Sequence, residues 1–363
     1  MKPEIENILQ KIEDNGFEAY VIGGYVRDKL LGIESFDVDI VTNALPKDLI
    51  NIFNVNSRRT TLYGTMKLLS DRYRFDIATY RKELSYLGRK PETIEYIQDL
   101  KEDILRRDFT INTIAMNKNG IIIDYLGAIK DLQNKVIKCV GDPNTKFKED
   151  PLRILRAIRF SIILDFTLDN ILMNSLKKNI DLIKSLPSTR VKEELSRILV
   201  SKNVISGLDF MKKLNVLKLL NISYDNIVYV DDLLGMYAQL NLDDNYPFTK
   251  EEKRNIEIVK AIVKSKKINN ITLFNYGLYL SIVAGKIMQI DPEEIITINN
   301  NLPIKEKKDL KISYNDIVTI LNINSTIVKN IMNDIINKVL LNELNNDKEE
   351  LILYIINHKK EYI

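Results

Sequence analysis

The sequence predicts an α+β protein, with a mixed N-terminal segment built on a small sheet and an all-helical remainder. Three observations predict it. Short apolar segments alternate with helical ones up to about residue 141. Residues 37–41 alternate carboxylate and apolar side chains, the period of a strand with two unlike faces. After Gly141-Asp142-Pro143, apolar residues recur with helical period and glycines become sparse.

Taken in order, residues 4–14 read as a helix, and 18–22 as a short buried strand that ends at Gly23-Gly24. A short helix follows to about Leu31, then the alternating strand at 37–41. Pro46 opens another helix, its fixed φ suiting an early helical position. Residues 64–69 and 73–79 read as strands joined by Asp71-Arg72. The polar stretch 81–92, with Gly88 and Pro91, reads as a loop. Asp108 begins or caps a helical stretch through Ala115, and 120–123 and 136–140 are strand candidates. Asp150-Pro151 starts a helix that runs to about Leu164, with Asp150 as its cap. These signals divide the chain into 1–141, 142–225 and 226–363, the last division resting on the acidic, turn-prone stretch at 243–247.

Composition removes several classes of function. One cysteine, Cys139, excludes an internal disulfide framework and a cysteine-rich zinc site. One histidine, His358 near the end of the chain, leaves no histidine metal cluster and no Ser-His-Asp triad, and it reads as a solvated terminal residue. Any metal must then be held by carboxylates, and oxygen ligands suit Mg2+. The N-terminus lacks the apolar core of a signal peptide, and no apolar run is long enough to span a bilayer. A cytoplasmic protein with no membrane association is expected. The formal net charge of +3 neither demands nor forbids a nucleic-acid partner.

The sharpest constellation is Gly23-Gly24-Tyr25-Val26-Arg27-Asp28 followed by Asp37-Val38-Asp39. On a strand, Asp37 and Asp39 project from one face, and a divalent cation relieves their mutual repulsion. Glycines let backbone approach a phosphate closely, and Arg27 in the next helix can fork onto one. A lone Asp-x-Asp is an ordinary solvated strand edge; the ordered strand, Gly-Gly, helix, strand, Asp-x-Asp is what points to phosphoryl transfer. Asp76, on the strand at 73–79, is a candidate third carboxylate. Arg106-Arg107 precede Asp108, and beside a metal–triphosphate site one of the two could hold phosphate or sugar. Arg153, Arg156 and Arg159 recur every third residue after Asp150, as a slowly turning row on one helix side. Cytosine and adenine both present an exocyclic amine beside a ring-nitrogen acceptor. Asp150 accepting from the amine and Arg153 donating to the ring would admit C and A and reject G and U.

The segments GGYVRDKLLG…FDVDI, RRDFTIN, DYLGAIKDLQNKVIK and EDPLRILRAIRF, with a weaker STRVKEELSRIL at 188–199, resemble class II CCA-adding enzymes and bacterial poly(A) polymerases. They run collinearly over about residues 18–200 and look most like the short bacterial type without a C-terminal HD domain. The resemblance implies a polymerase-β-like nucleotidyltransferase head followed by helical neck, body and tail. It implies Asp37 and Asp39 as catalytic ligands of Mg2+, and Gly23, Gly24, Arg27, Arg107, Asp150, Arg153, Arg156 and Arg159 as nucleotide-binding residues. It also implies CTP and ATP as substrates and tRNA, held at acceptor end and elbow, as partner, with no obligate protein partner. The stretch ending Gly88-Arg89-Lys90-Pro91 resembles the flexible loop needed for terminal A addition. A poly(A) polymerase, a partial CC- or A-adding enzyme, and a non-catalytic tRNA-binding protein are the alternatives.

Overall fold

The computed structural model describes residues 2–56, 64–87, 90–323 and 325–359. Helix α1 (Pro3–Glu13) opens on proline and buries Ile5, Leu9 and Ile12, the spacing of one helical face. Strand β1 (Ala19–Ile22) ends at Gly23, whose φ of 79° turns the chain into α2 (Gly24–Leu30). Then follow β2 (Asp37–Thr42), α3 (Pro46–Phe53), β3 (Thr65–Leu69) and β4 (Arg74–Thr79). Strands β5 (Arg81–Leu87) and β6 (Lys90–Tyr96) lead to α4 (Leu100–Leu105). Short strands β7 (Ala115–Met116) and β8 (Ile122–Ile123) precede α5 (Ala128–Gln133) and β9 (Val136–Ile137). Helices α6 (Pro143–Glu149) and α7 (Leu152–Leu164) come next, then β10 (Thr167–Leu168), α8 (Asn170–Asn179) and α9 (Ser188–Leu199).

The main sheet has the order β3-β4-β2-β1-β7-β8. Its β2–β4 pair is parallel and its other pairs are antiparallel. Val21, Val38, Ile40, Phe75 and Ile77 are buried. By strand alternation and register they share one face. The opposite face is divided. At one end Ile22, Val41 and Ala115 pack with Leu100 and Ile104 of α4. At the other end the same face carries Asp37, Asp39 and Asp76. Burying Leu100 and Ile104 contributes roughly 1.5–3 kcal/mol each, which fixes α4 beside the acidic end.

Three expectations from the sequence are corrected. Residues 81–92 are no loop: β5 and β6 pair antiparallel as a separate hairpin, and the expected loop tip at 88–89 lies outside the described residues. The hairpin is rooted by charge instead of apolar alternation, with Arg81 and Arg106 both on Glu83, so its polar composition misleads. The helix expected through Ala115 is a single 3-10 turn, Thr110–Asn112. The backbone of Asp108 and Thr110 bonds instead to Val140 and Lys138. Asp150 stands at the joint between α6 and α7, in extended backbone at the end of α6. Its carboxylate still accepts the Leu152 N–H at 3.0 Å, the capping chemistry expected of it. Helices α4 and α5, of six residues each, are not among the elements expected from the sequence.

Residues 1–221 and 222–363 form two compact units. In the second, Asp232, Thr249, Asn269, Asp291, Ser313 and Asp347 each accept a backbone N–H at a helix start. Ile304, Ile317, Val328, Ile331, Ile335 and Ile355 belong to one of its buried cores. The core accounts for part of its Ile bias. Among the described residues, no helix is long and apolar enough to cross a membrane.

Candidate active site

The alternation of β2 leaves Asp37 and Asp39 exposed on one face while Val38 and Ile40 are buried. Parallel pairing sets Asp76 opposite Asp39, and Arg74 opposite Asp37. Asp37 accepts an ion pair from Arg74 at 2.9 Å, and Asp76 lies 3.6 Å from Lys67. The Gly23 turn meets the carboxylates directly. A Cβ on Gly23 would lie 3.3 Å from Asp39 Oδ2 and 3.7 Å from an Arg107 terminal nitrogen. Asp39 touches solvent but stands deep among its neighbours. That enclosure raises its carboxyl pKa, helped by repulsion from Asp76 and Asp37 and opposed by Arg107 and Arg156.

Helix α4 supplies the next layer. Asp103 is fully buried and ion-pairs with Arg106 at 2.7 Å and Arg107 at 3.3 Å. It also accepts the Arg81 backbone N–H at the root of the hairpin. Burial alone would raise its pKa; Arg107 and Arg106 overcome this and hold it below the ordinary carboxylate value. Arg107 thus stands between Asp103 and Asp39, and its buried Nε has no partner.

A closed circuit joins α2 to α7. Arg27 donates to Asn112 Oδ1 at 2.7 Å, and Asn112 donates to Asp108 Oδ1 at 3.1 Å. Asp108 takes Arg156 at 2.6 Å, and the guanidinium groups of both Arg156 and Arg27 lie over the Phe160 ring. Asp108 is held well below the ordinary carboxylate range, burial being overcome by Arg156 and the Asn112 hydrogen bond. Arg159 pairs by charge with buried Glu194 of α9 at 2.9 Å, and burial pulls its pKa down to about 10. Arg153 donates to Glu149 at 2.9 Å and to the carbonyls of Lys146 and Arg106. The arginine row expected from the sequence is therefore no open basic face: each of its arginines leans on a different carboxylate.

The structure brings Gly23, Asp39, Asp76 and Arg107 together at one place, with Asp37 on the same strand face. It gathers Arg27, Arg156 and Arg159 around Phe160. Sequence reading missed Asp103, Asn112, Phe160 and Glu194 as members of the site. For Asp103 a signal existed: it precedes Arg106 and Arg107 by three and four residues, the spacing of helical neighbours.

The donor set fits a hard divalent cation. Asp37 and Asp39 repel one another; exposed Arg74 pairs with Asp37, while Arg107 and Arg156 act on Asp39 from a distance. Two carboxylates leave the remaining positions of a cation's shell to phosphate and water. Buried, preorganised guanidinium groups alongside suit a polyphosphate.

A model described as the poly A polymerase head domain matches residues 19–138. One for a probable RNA- and SrmB-binding site of polymerase A matches 165–222, and one for a putative tRNA nucleotidyltransferase domain 2 matches 206–355. The CCA-adding enzyme of Ligilactobacillus salivarius is 32% identical over 95% of this chain and 94% of its own length. This chain belongs to the CCA-adding enzyme family. The CCA-adding enzyme of Staphylococcus haemolyticus is 30% identical, covering 96% of both chains. The fold agrees with solved CCA-adding enzymes. The Bacillus stearothermophilus enzyme in complex with CTP superposes with a TM-score of 0.86 at 24% identity, covering 99% of both chains. The Thermotoga maritima CCA-adding enzyme complexed with tRNA has a TM-score of 0.65 at 23% identity, covering 98% of this chain and 96% of that one.

Proposed function

We propose that this protein adds C, C and A to the 3′ end of tRNA from CTP and ATP, without a nucleic-acid template. The observation that carries the reading is the placement of Asp37 and Asp39 on one strand face, with Asp39 against the Gly23 turn. The 3′ hydroxyl of the RNA attacks the α-phosphate in line and pyrophosphate leaves. Asp37 and Asp39 would hold Mg2+, which when bound neutralises charge on the triphosphate and the attacking oxygen. Gly23 and Gly24 give the triphosphate room, and Arg27, Arg107, Arg156 and Arg159 bind phosphate and sugar.

Asp150 and Arg153 read the base edge. Support comes from the anchoring of Arg153 on Glu149 and two backbone carbonyls, which fixes its guanidinium before a nucleotide arrives. We assign the head to 1–141, the nucleotide-selecting neck to 142–225, and body and tail to 226–363. The tail would grip the tRNA elbow through shape and phosphate, as A-form RNA allows. A cytoplasmic location follows from that substrate.

Transcript extension tests this. Purified protein is given tRNA ending at the discriminator base, at C, or at CC, with labelled CTP and ATP separately and together. One, two or three nucleotides should be added according to the starting end, stopping at A. Long A tails on arbitrary RNA, without C, would identify a poly(A) polymerase instead.

A further inference from the structure

We propose that Phe160 is a positioning residue for nucleotide binding: its ring sets the places of Arg27, Arg156 and Arg159. This rests on the nucleotide-binding role given to those arginines above. Their guanidinium carbons lie 5.1, 5.3 and 4.3 Å from the Phe160 ring centroid. All three fall within the range where a cation is attracted by the ring quadrupole. Phe160 is itself buried, with Phe109 packed edge-on at 5.9 Å.

Three like charges converging on one residue repel one another, so the arrangement needs compensation. Three carboxylates supply part of it, one per arginine: Asp28 for Arg27, Asp108 for Arg156 and Glu194 for Arg159. Each carboxylate pairs with one arginine, and the Asn112–Asp108 hydrogen bond links the Arg27 and Arg156 pairs but not the Arg159–Glu194 pair. The ring is the shared contact. It joins Arg27, from α2 after the glycine turn, to the two arginines of α7. An aliphatic side chain of similar volume would fill the space without the electron-rich face. The guanidinium groups would then drift apart, and the polyphosphate would have to gather them.

The three arginines act on the triphosphate and ribose, which CTP and ATP share. Loss of the ring should therefore weaken both nucleotides equally and leave base choice alone. The test compares Phe160→Leu and Phe160→Tyr with the wild-type enzyme in tRNA extension, with Kd for CTP and ATP measured by calorimetry and Tm by scanning fluorimetry. F160L should raise KM and Kd for both nucleotides about tenfold, with a smaller change in kcat. F160Y keeps the ring and should stay within about twofold of wild type. If F160L does not fold, Phe160→Met takes its place.

An active F160L enzyme with unchanged KM and Kd but lowered Tm makes Phe160 an ordinary core residue and overturns the proposal alone. Equal impairment of F160Y and F160L overturns it too. A folded wild-type protein that binds neither nucleotide overturns both this inference and the functional reading beneath it.

Discussion

A methyl group on Gly23 would stand 3.3 Å from Asp39 Oδ2, so the glycine turn and the carboxylate proposed to hold the cation share one contact surface. The turn also holds a φ of 79°, which side-chain-bearing residues resist. Gly23→Ala should therefore cost about 1–2 kcal/mol of stability from backbone strain. It should cost activity far more, on the order of a hundredfold in kcat/KM, because the carboxylate must shift. Urea denaturation and single-nucleotide incorporation separate the two losses.

Glu194 offers a second measurement. It is the buried charge partner of Arg159. Glu194→Gln keeps the shape and strands the guanidinium, which should destabilise the fold by about 3–5 kcal/mol. Adding Arg159→Met to that variant should recover most of the loss, since no unpaired charge is left. The denaturation midpoints of the single and double variants decide it. Equal midpoints would mean that the pair is not coupled.

Cys139 gives a chemical check on the packing beneath the site. Burial pushes its thiol up to about 12, against weaker pulls from Arg153 and Lys146. The reactive thiolate is then scarce at neutral pH. Ellman's reagent at pH about 8 should react with the native protein on the order of a hundredfold more slowly than with urea-unfolded chain. Equal rates would contradict the packing of this region.

Much of this architecture was legible because it is local. The alternation in β2, the glycines after β1 and the Asp-Pro before α7 each declare themselves within a few residues. The division of the β2 face was not legible. Asp39 and Val41 have the same strand parity, and only the docking of α4 makes one end of that face apolar and leaves the other acidic. The hairpin is hidden for a related reason. Its root is fixed by Asp103 and Arg106, some twenty residues away, and no windowed pattern carries that information. The partners of the arginines are hidden in the same way: Arg159 and Glu194 are joined only when α7 and α9 pack.

The pH dependence of the site follows from Asp39. Its carboxyl pKa in the folded protein is raised above the ordinary value of 3.8 by enclosure and by neighbouring carboxylates. The folded state therefore holds that proton more tightly than the unfolded one. Stability contributed by this group is lost as pH rises from 3.8 through the raised pKa. Metal binding has the opposite sense, since it needs the ionised form and weakens as pH falls through the same range. Without added cation at neutral pH, Asp39→Asn should therefore melt no lower than wild type, and higher if the repulsion is felt. Thermal melts across pH check this.

The most direct test of the central claim is nucleotide incorporation by folded D39N protein across a Mg2+ titration, beside wild type. Wild type should show Mg2+-dependent addition to tRNA. The variant should show the same circular dichroism and no addition at any Mg2+ concentration. Wild-type rates in folded D39N protein would contradict the account, because the acidic face of β2 would then hold no catalytic cation.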